Sequence, residues 1–322
     1  MTAGSGLKYF DLVWSHGFSN FEYGVVTDKK MIIDGHVHLF HPKVILNVKK
    51  RSEMARVLGL QTQGAEERVG VPFLENELRN AGISGGFILP TALAEEVGSI
   101  NDEFYALAET SSILYTAGTL HPDYSGNRDE LEKFRTKKIR GIKLCSFSQR
   151  FSLSAPKTLE MFQLIQDFNI HKGSGFFVEL DTLFGADQFF GSQPEHNTTP
   201  SLFADLVKRF PKIDFIAAHM GGLAAPFHEI KTHLVPMDNL YLDTSNAAHV
   251  LSKDEFVHLL KTHGPEHIIF GTDWPWFTHK GEIDFQIRLY ETAGFSKKNT
   301  DLIFSKNIAR LTGKFDSLQK ET

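Results

Sequence analysis

One cysteine, Cys145, stands in a chain of 322 residues. A lone thiol closes no internal disulfide, which excludes a disulfide-stapled scaffold and points to a reducing compartment, cytoplasmic in the simplest reading. Nowhere do about 18 apolar residues run consecutively, the length a membrane span requires. The N-terminus also lacks the basic stretch, apolar core and cleavage site of a secretory leader. Lysine and arginine form no extended run, and a formal net charge of -5 gives no general attraction to phosphate backbones or anionic membranes. Nucleic acid and membrane are therefore not expected as partners, which leaves a small-molecule substrate. No Pro/Ser-rich linker, low-complexity tract or internal repeat divides the chain, so one domain accounts for its length.

What the chain does have is ordinary globular composition, 41% hydrophobic and 23% charged, enough apolar surface for a sizeable core. Residues 1–30 carry Gly, Ser and aromatics without sustained periodicity, so the expectation is an N-terminal extension outside the fold, with Met31 as the working start. From Met31 onward, short apolar runs rich in β-branched and aromatic residues alternate with longer amphipathic stretches. The runs 31–34, 84–90, 114–121, 140–145, 175–181, 213–219, 240–244 and 267–272 read as strands. Helices are expected at 102–109, 129–135, 156–167, 200–209, 253–262 and 284–293, with a long insertion at about 42–70 after the first strand.

A doubly wound open sheet shows the same alternation. The polar residues at strand ends separate the two folds: His36 and His38, His121, Lys143, Glu179, His219, Asp243 and Asp273. In a (β/α)8 barrel all eight C-terminal edges converge on one mouth, where active sites of that fold sit; in an open sheet they would lie along a line. The expected architecture is a single-domain α/β (β/α)8 TIM barrel over residues 31–322.

In Ile33-Asp34-Gly35-His36-Val37-His38 the two histidines stand at i and i+2 of an extended segment, so both imidazoles can reach one ion. In Ile269-Phe270-Gly271-Thr272-Asp273-Trp274-Pro275 a carboxylate follows a wholly apolar strand, placed to ligate and to take a proton. In Phe215-Ile216-Ala217-Ala218-His219-Met220-Gly221-Gly222 a strand ends in His, followed by glycines that let the backbone approach a ligand. The plainer readings are two satisfied histidines in a polar turn and a capped helix start.

Taken together with "GTDWP", "AHMGG", "GIKL" and "LYLDTS" at the ends of strands, this set resembles the amidohydrolase superfamily. The branch it looks like is the amidohydrolase-related one, which also contains aminocarboxymuconate-semialdehyde and resorcylate decarboxylases. The resemblance spans about residues 31–311. It implies one divalent metal ion, Zn²⁺ first with Mn²⁺ or Fe²⁺ as alternatives, held by His36, His38 and Asp273. Asp273 would also be the general base or acid, and His219 a ligand or an electrostatic partner of the attacked group. The chain departs from the family at the fifth strand, where Phe177-Val178-Glu179-Leu180 puts Glu179 in the place of the usual His ligand. A carboxylate can replace imidazole on a hard or borderline ion.

Lys143 has three readings: a carboxylated metal bridge, an anchor for an anionic substrate, or a neutralising partner of Glu179 and Asp273, with the last two favoured. Cys145 reads as a small buried apolar residue. Asp243 could orient an imidazole from behind. His121, Trp274 and Trp276 are assigned to the substrate wall, plain packing being the alternative. His41, His196, His228, His233, His263 and His279 read as surface or loop residues.

The expected activity is hydrolysis of an amide, lactone or ester by metal-activated water, with Asp273, His219 and Lys143 as the catalytic groups. A non-oxidative decarboxylase on the same barrel and a catalytically degenerate binding barrel are the rivals. Barrels of this kind often pair, which keeps a homodimer open without fixing the oligomeric state.

Overall fold

The structure, a computed structural model, describes residues 31–314, so the extension at residues 1–30 lies outside the described residues. The strands are β1 (Ile33–Val37), β2 (Gly85–Ile88), β3 in two pieces (Leu114–Thr116 and Gly118–Thr119), β4 (Gly141–Leu144), β5 (Phe177–Leu180), β6 (Asp214–Ala217), β7 (Leu240–Asp243) and β8 (Ile268–Ile269). Each pairs in parallel with the next, the first piece of β3 with β2 and its second with β4. Gly35 N–H donates to Phe270 O and His38 N–H to Trp274 O, both at 2.8 Å, so the far end of β8 returns to β1 and the ring closes. This is the expected (β/α)8 barrel.

Helix Pro200–Arg209 lies where expected, and Val97–Glu109, Asn127–Lys137, Pro156–Lys172, Lys253–His263 and His279–Ala293 extend the expected segments. Their starts follow from local chemistry. The Thr199 side chain accepts from Leu202 N–H ahead of Pro200, and Ser252 and Glu255 cap each other's backbone, each cap contributing about 1 kcal/mol. The insertion after β1 is helical, with helices Pro42–Lys49 and Ser52–Val57 preceding Gly70–Asn80. No helix of the described residues is long and apolar enough to cross a membrane.

Strand periodicity divides the core into layers. Val178, Leu180, Phe215, Ala217, Leu242 and Phe270 face outward into the layer shared with the helices. Ile33, Phe87, Phe177, Ile216, Tyr241 and Ile269 fill the lower interior of the barrel. Two residues further along, the same inward face becomes polar: Phe177 is followed by Glu179 and Asp181, Tyr241 by Asp243 and Ser245, and Ile269 by Gly271 and Asp273. A third apolar cluster covers the mouth, joining Ile45, Met54 and Leu58 of the insertion to Leu183, Leu223, Trp276 and Phe277. The polar layer is thus sealed between two apolar ones.

Candidate active site

β1 extends to Val37, further than the expected 31–34, so His36 lies within the strand. A register shift between Asp34 and Val37 re-aims the side chains there. His36 Nε2 lies 3.0 Å from His38 Nε2, and Asp273 Oδ1 is 3.8 Å from the first and 3.5 Å from the second. Ligand atoms about 2.1 Å from a tetrahedral ion sit roughly 3.4 Å apart, so two imidazole nitrogens and a carboxylate oxygen have the spacing and chemistry of a divalent metal site. All three side chains are buried.

His36 is oriented from behind. Its Nδ1–H donates to Asp243 Oδ2 at 2.9 Å, which turns Nε2 toward His38 and Asp273. Asp243 Oδ1 accepts from His219 N–H at 3.1 Å and Ser245 N–H at 2.9 Å, as well as from the Ser245 hydroxyl. Burial pushes the Asp243 carboxyl up, but His36 and these donors hold it well below the usual carboxylate range. Burial and the Lys143 ammonium press His36 down, yet Asp243 and Glu179 carry it up to about 10. His38, buried beside that cation, is held well below the ordinary histidine value. The short Nε2···Nε2 contact is therefore an N–H···N bond with His36 donating, and a divalent cation would exchange for that proton.

Glu179 stands apart from the His36, His38 and Asp273 trio. Its Oε1 lies 2.9 Å from the Nδ1 of His36, the nitrogen opposite the trio, and 3.2 Å from Lys143 Nζ. The register explains this: Lys143 on β4 pairs directly with Glu179 on β5, so ammonium and carboxylate meet side by side with neither exposed. Lys143 Nζ thus has Glu179 as its ion-pair partner.

His219 ends β6 with φ 55°, and Asp273 follows β8 with φ 61°. Two non-glycine residues in the left-handed region, both at the mouth, mark strain held in place by the surrounding fold. His219 Nδ1–H donates to Ser245 O at 2.9 Å, and its Nε2 lies 3.5 Å from Asp181 Oδ2. Burial lowers the His219 pKa, but Asp181 outweighs it and raises it. Burial lifts Asp273 above the ordinary aspartate value.

Asp181 was not singled out from the sequence. The signal was present, since Asp181 stands two residues past Glu179 just as His38 does past His36, and both members of such a pair face the interior. Buried Cys145 is pushed well above the usual thiol range by desolvation, consistent with an apolar filler.

Of the residues assigned to the substrate wall, His121 has both ring nitrogens engaged by backbone: Nε2–H donates to Gln149 O at 2.8 Å and Nδ1 accepts from Asp123 N–H at 3.1 Å. Trp274 is fully buried among core side chains, with its indole N–H donated to Glu77 Oε2 at 3.0 Å. Trp276 packs on Phe40, which stacks on His38 at 4.6 Å, so this aromatic does reach the site's edge. His279 and His263, expected at the surface, are buried. His279 sits between Asp34 Oδ2 and Glu77 Oε1, each at 3.1 Å.

No curated protein matches this chain. Solved structures do. The 5-carboxyvanillate decarboxylase LigW of Sphingomonas paucimobilis is similar at 17% identity with TM-score 0.63, covering 88% of this chain and 99% of that one. A dihydroxybenzoic acid decarboxylase from Polaromonas, solved with bound manganese and 2-nitroresorcinol, matches at 14% identity and TM-score 0.63, covering 88% of this chain and 97% of that one. An amidohydrolase from Burkholderia multivorans with bound zinc matches at 13% identity and TM-score 0.63, covering 88% of this chain and 99% of that one. At such identities these likenesses establish the fold. The amidohydrolase family model matches residues 33–314, which is the whole barrel, and the chain belongs to the amidohydrolase family of enzymes.

Proposed function

We propose that this enzyme hydrolyses a small-molecule amide, lactone or ester with the help of one divalent ion held by His36, His38 and Asp273. The observation that carries the reading is the buried His36, His38 and Asp273 trio, whose donor atoms lie within 4.8 Å of one another at the C-terminal mouth. The ion, Zn²⁺ or Mn²⁺, supplies Lewis-acid polarisation of the scissile carbonyl and a lowered pKa for water. Asp273 takes the proton of the attacking water on its carboxylate and returns it to the leaving amine or alcohol. His219, held by Ser245 and Asp181, directs Nε2–H toward the oxygen on which negative charge develops, a contribution commonly worth about 3 kcal/mol. Asp243 keeps His36 in the tautomer that offers Nε2. Lys143 acts indirectly, cancelling the charge of Glu179 beside the site.

Hydrolysis is preferred to decarboxylation because the lysine inside the barrel, which could have faced a departing carboxylate, is already paired. The second reading, a non-oxidative decarboxylase, is favoured by the sealed polar layer, since loss of carbon dioxide gains from a site closed to water. Two solved relatives of the same fold are decarboxylases by name. Elemental analysis of purified protein, followed by a panel of lactones, esters and aryl carboxylic acids assayed for acid release against carbon dioxide release, separates the two. Metal below about a tenth of an equivalent, with no turnover after Zn²⁺ or Mn²⁺ is supplied, defeats both.

A further inference from the structure

A cleft of about 450 Å³ is formed by the loops that follow β1, β4 and β5, and its lining includes Arg51, Arg150, Phe147, Phe190, Ser192 and His196. It carries no acidic side chain among the described residues. The arginine ion pairs of the described residues belong to Arg56, Arg79 and Arg135, so Arg51 and Arg150 bring uncompensated charge to the cleft. Arg51 is held in place by donating to Phe189 O at 3.1 Å and by lying 5.8 Å from the Phe190 ring.

Two further observations point to a ligand. The Ser192 hydroxyl and His196 Nδ1 are buried yet have no hydrogen-bond partner. Buried polar atoms are rarely left unpaired, and the residues that carry these two line the same cleft as Arg51 and Arg150. Ser146 Oγ donates to the backbone carbonyl of His196, which fixes the loop that carries the orphaned imidazole. The walls are apolar, with Phe147 and Phe190 packed at 4.9 Å and 33°. Guanidinium groups and a hydroxyl over aromatic faces suit an anion with an apolar body.

We infer that this cleft is a binding site for an organic carboxylate, and that it holds the acid end of the substrate of the adjoining metal centre. Phe147 stands four positions after Lys143 on β4, at most about 14 Å of chain, so the cleft opens beside the catalytic mouth. Phe147 and Phe190 also pack against the apolar cluster over the mouth that contains Trp276. The carboxylate chemistry rests on the cleft alone; only its identification with the substrate rests on the proposed function.

Benzoate is the probe, titrated calorimetrically into the full-length protein and four variants: Arg51→Ala, Arg150→Ala, Arg150→Gln and Asp273→Asn. Wild type and Asp273→Asn should bind it alike, and each arginine variant at least tenfold more weakly, with affinity falling as salt rises from 50 to 500 mM. Arg150 is exposed, so both its variants should melt as the wild type does, which keeps the test independent of folding at Arg51. Wild-type affinity in the Arg150 variants, or no binding to wild type, overturns the site. Loss of binding in Asp273→Asn places the anion at the metal centre and overturns it as well. Inorganic phosphate that binds more tightly than benzoate overturns the carboxylate assignment. Absence of turnover with every ester and lactone, while benzoate still binds through the arginines, defeats the hydrolase reading and leaves the cleft standing.

Discussion

Asp243→Asn exchanges one carboxylate oxygen for an amide nitrogen at constant shape, and its consequences can be followed atom by atom. Asp243 Oδ1 accepts from three donors, the backbone N–H groups of His219 and Ser245 and the Ser245 hydroxyl. The amide oxygen of asparagine must stay on that side, because turning it away would leave three donors facing an NH₂. The amide nitrogen then faces His36 Nδ1, which now donates its proton to Asp243 Oδ2 at 2.9 Å. Two donors cannot share that contact, so the Nδ1–H is left to Glu179 Oε1, 2.9 Å away, and the ring loses the carboxylate that aims Nε2 at the cation. Removing an orienting partner of this kind typically weakens metal binding by about 10- to 100-fold, about 1.4 to 2.8 kcal/mol. Asp243 is 1% exposed, so water does not compensate, and loss of the charged hydrogen bond should cost the fold about 1.5 to 3 kcal/mol besides. Competition of the metal-free protein for Zn²⁺ against a chromophoric chelator measures the first effect and urea unfolding the second. An Asp243→Asn protein that binds Zn²⁺ within twofold of wild type would refute the orienting role of Asp243.

Asp273→Asn should abolish turnover while the far-ultraviolet circular dichroism and the melting temperature stay close to wild type; retained activity removes Asp273 from the proton transfers. Glu179→Gln strands the Lys143 ammonium, which is fully buried, and should cost about 3 to 5 kcal/mol in urea unfolding while elemental analysis still finds one metal per chain. Loss of metal with stability intact would make Glu179 a ligand instead. Gly271→Ala would place a Cβ 2.7 Å from His36 Cβ and 3.2 Å from Ser245 Cβ, so a loss of about 1 to 3 kcal/mol is expected, with weaker Zn²⁺ retention in dialysis. In the metal-free protein His36 titrates near 10 rather than 6.5, so its contribution to stability is complete below pH 6.5 and is lost as the pH rises toward 10. The urea midpoint should fall across that window, and Zn²⁺ affinity should rise across it, because the same proton must leave before the ion can bind. A midpoint flat from pH 6.5 to 10 would contradict the charged form of His36.

The histidine pair and Asp273 were legible because each depends on a short stretch of chain: an i, i+2 spacing on an extended segment, and a carboxylate just past an apolar strand. The same parity would have found Asp181. Glu179 depends on something else. Its distances to Lys143 and to His36 are set by the register of neighbouring strands, which neither segment encodes, and with His36 and Asp243 it forms a second buried group of metal-ligand type. His279 shows the limit in another way. Polar residues at the start of a helix read as surface, yet Asp34 on β1 and Glu77 on helix Gly70–Asn80 close over its ring from more than 200 residues away. Trp274 was drawn into that same contact through Glu77.

The order of elements followed from periodicity and the barrel from the polar residues at the strand ends, because a strand shows its inward face in every second residue whatever it packs against. Which nitrogen of His36 meets Asp243 and which meets His38 and Asp273 belongs to the tertiary structure alone. The same holds for the apolar lid that the insertion lays over the polar layer and for the unpaired polar atoms of residues lining the arginine cleft. These contacts join residues distant in sequence, and their distances depend on the register and rotation of eight strands closing a ring, quantities that no single segment encodes.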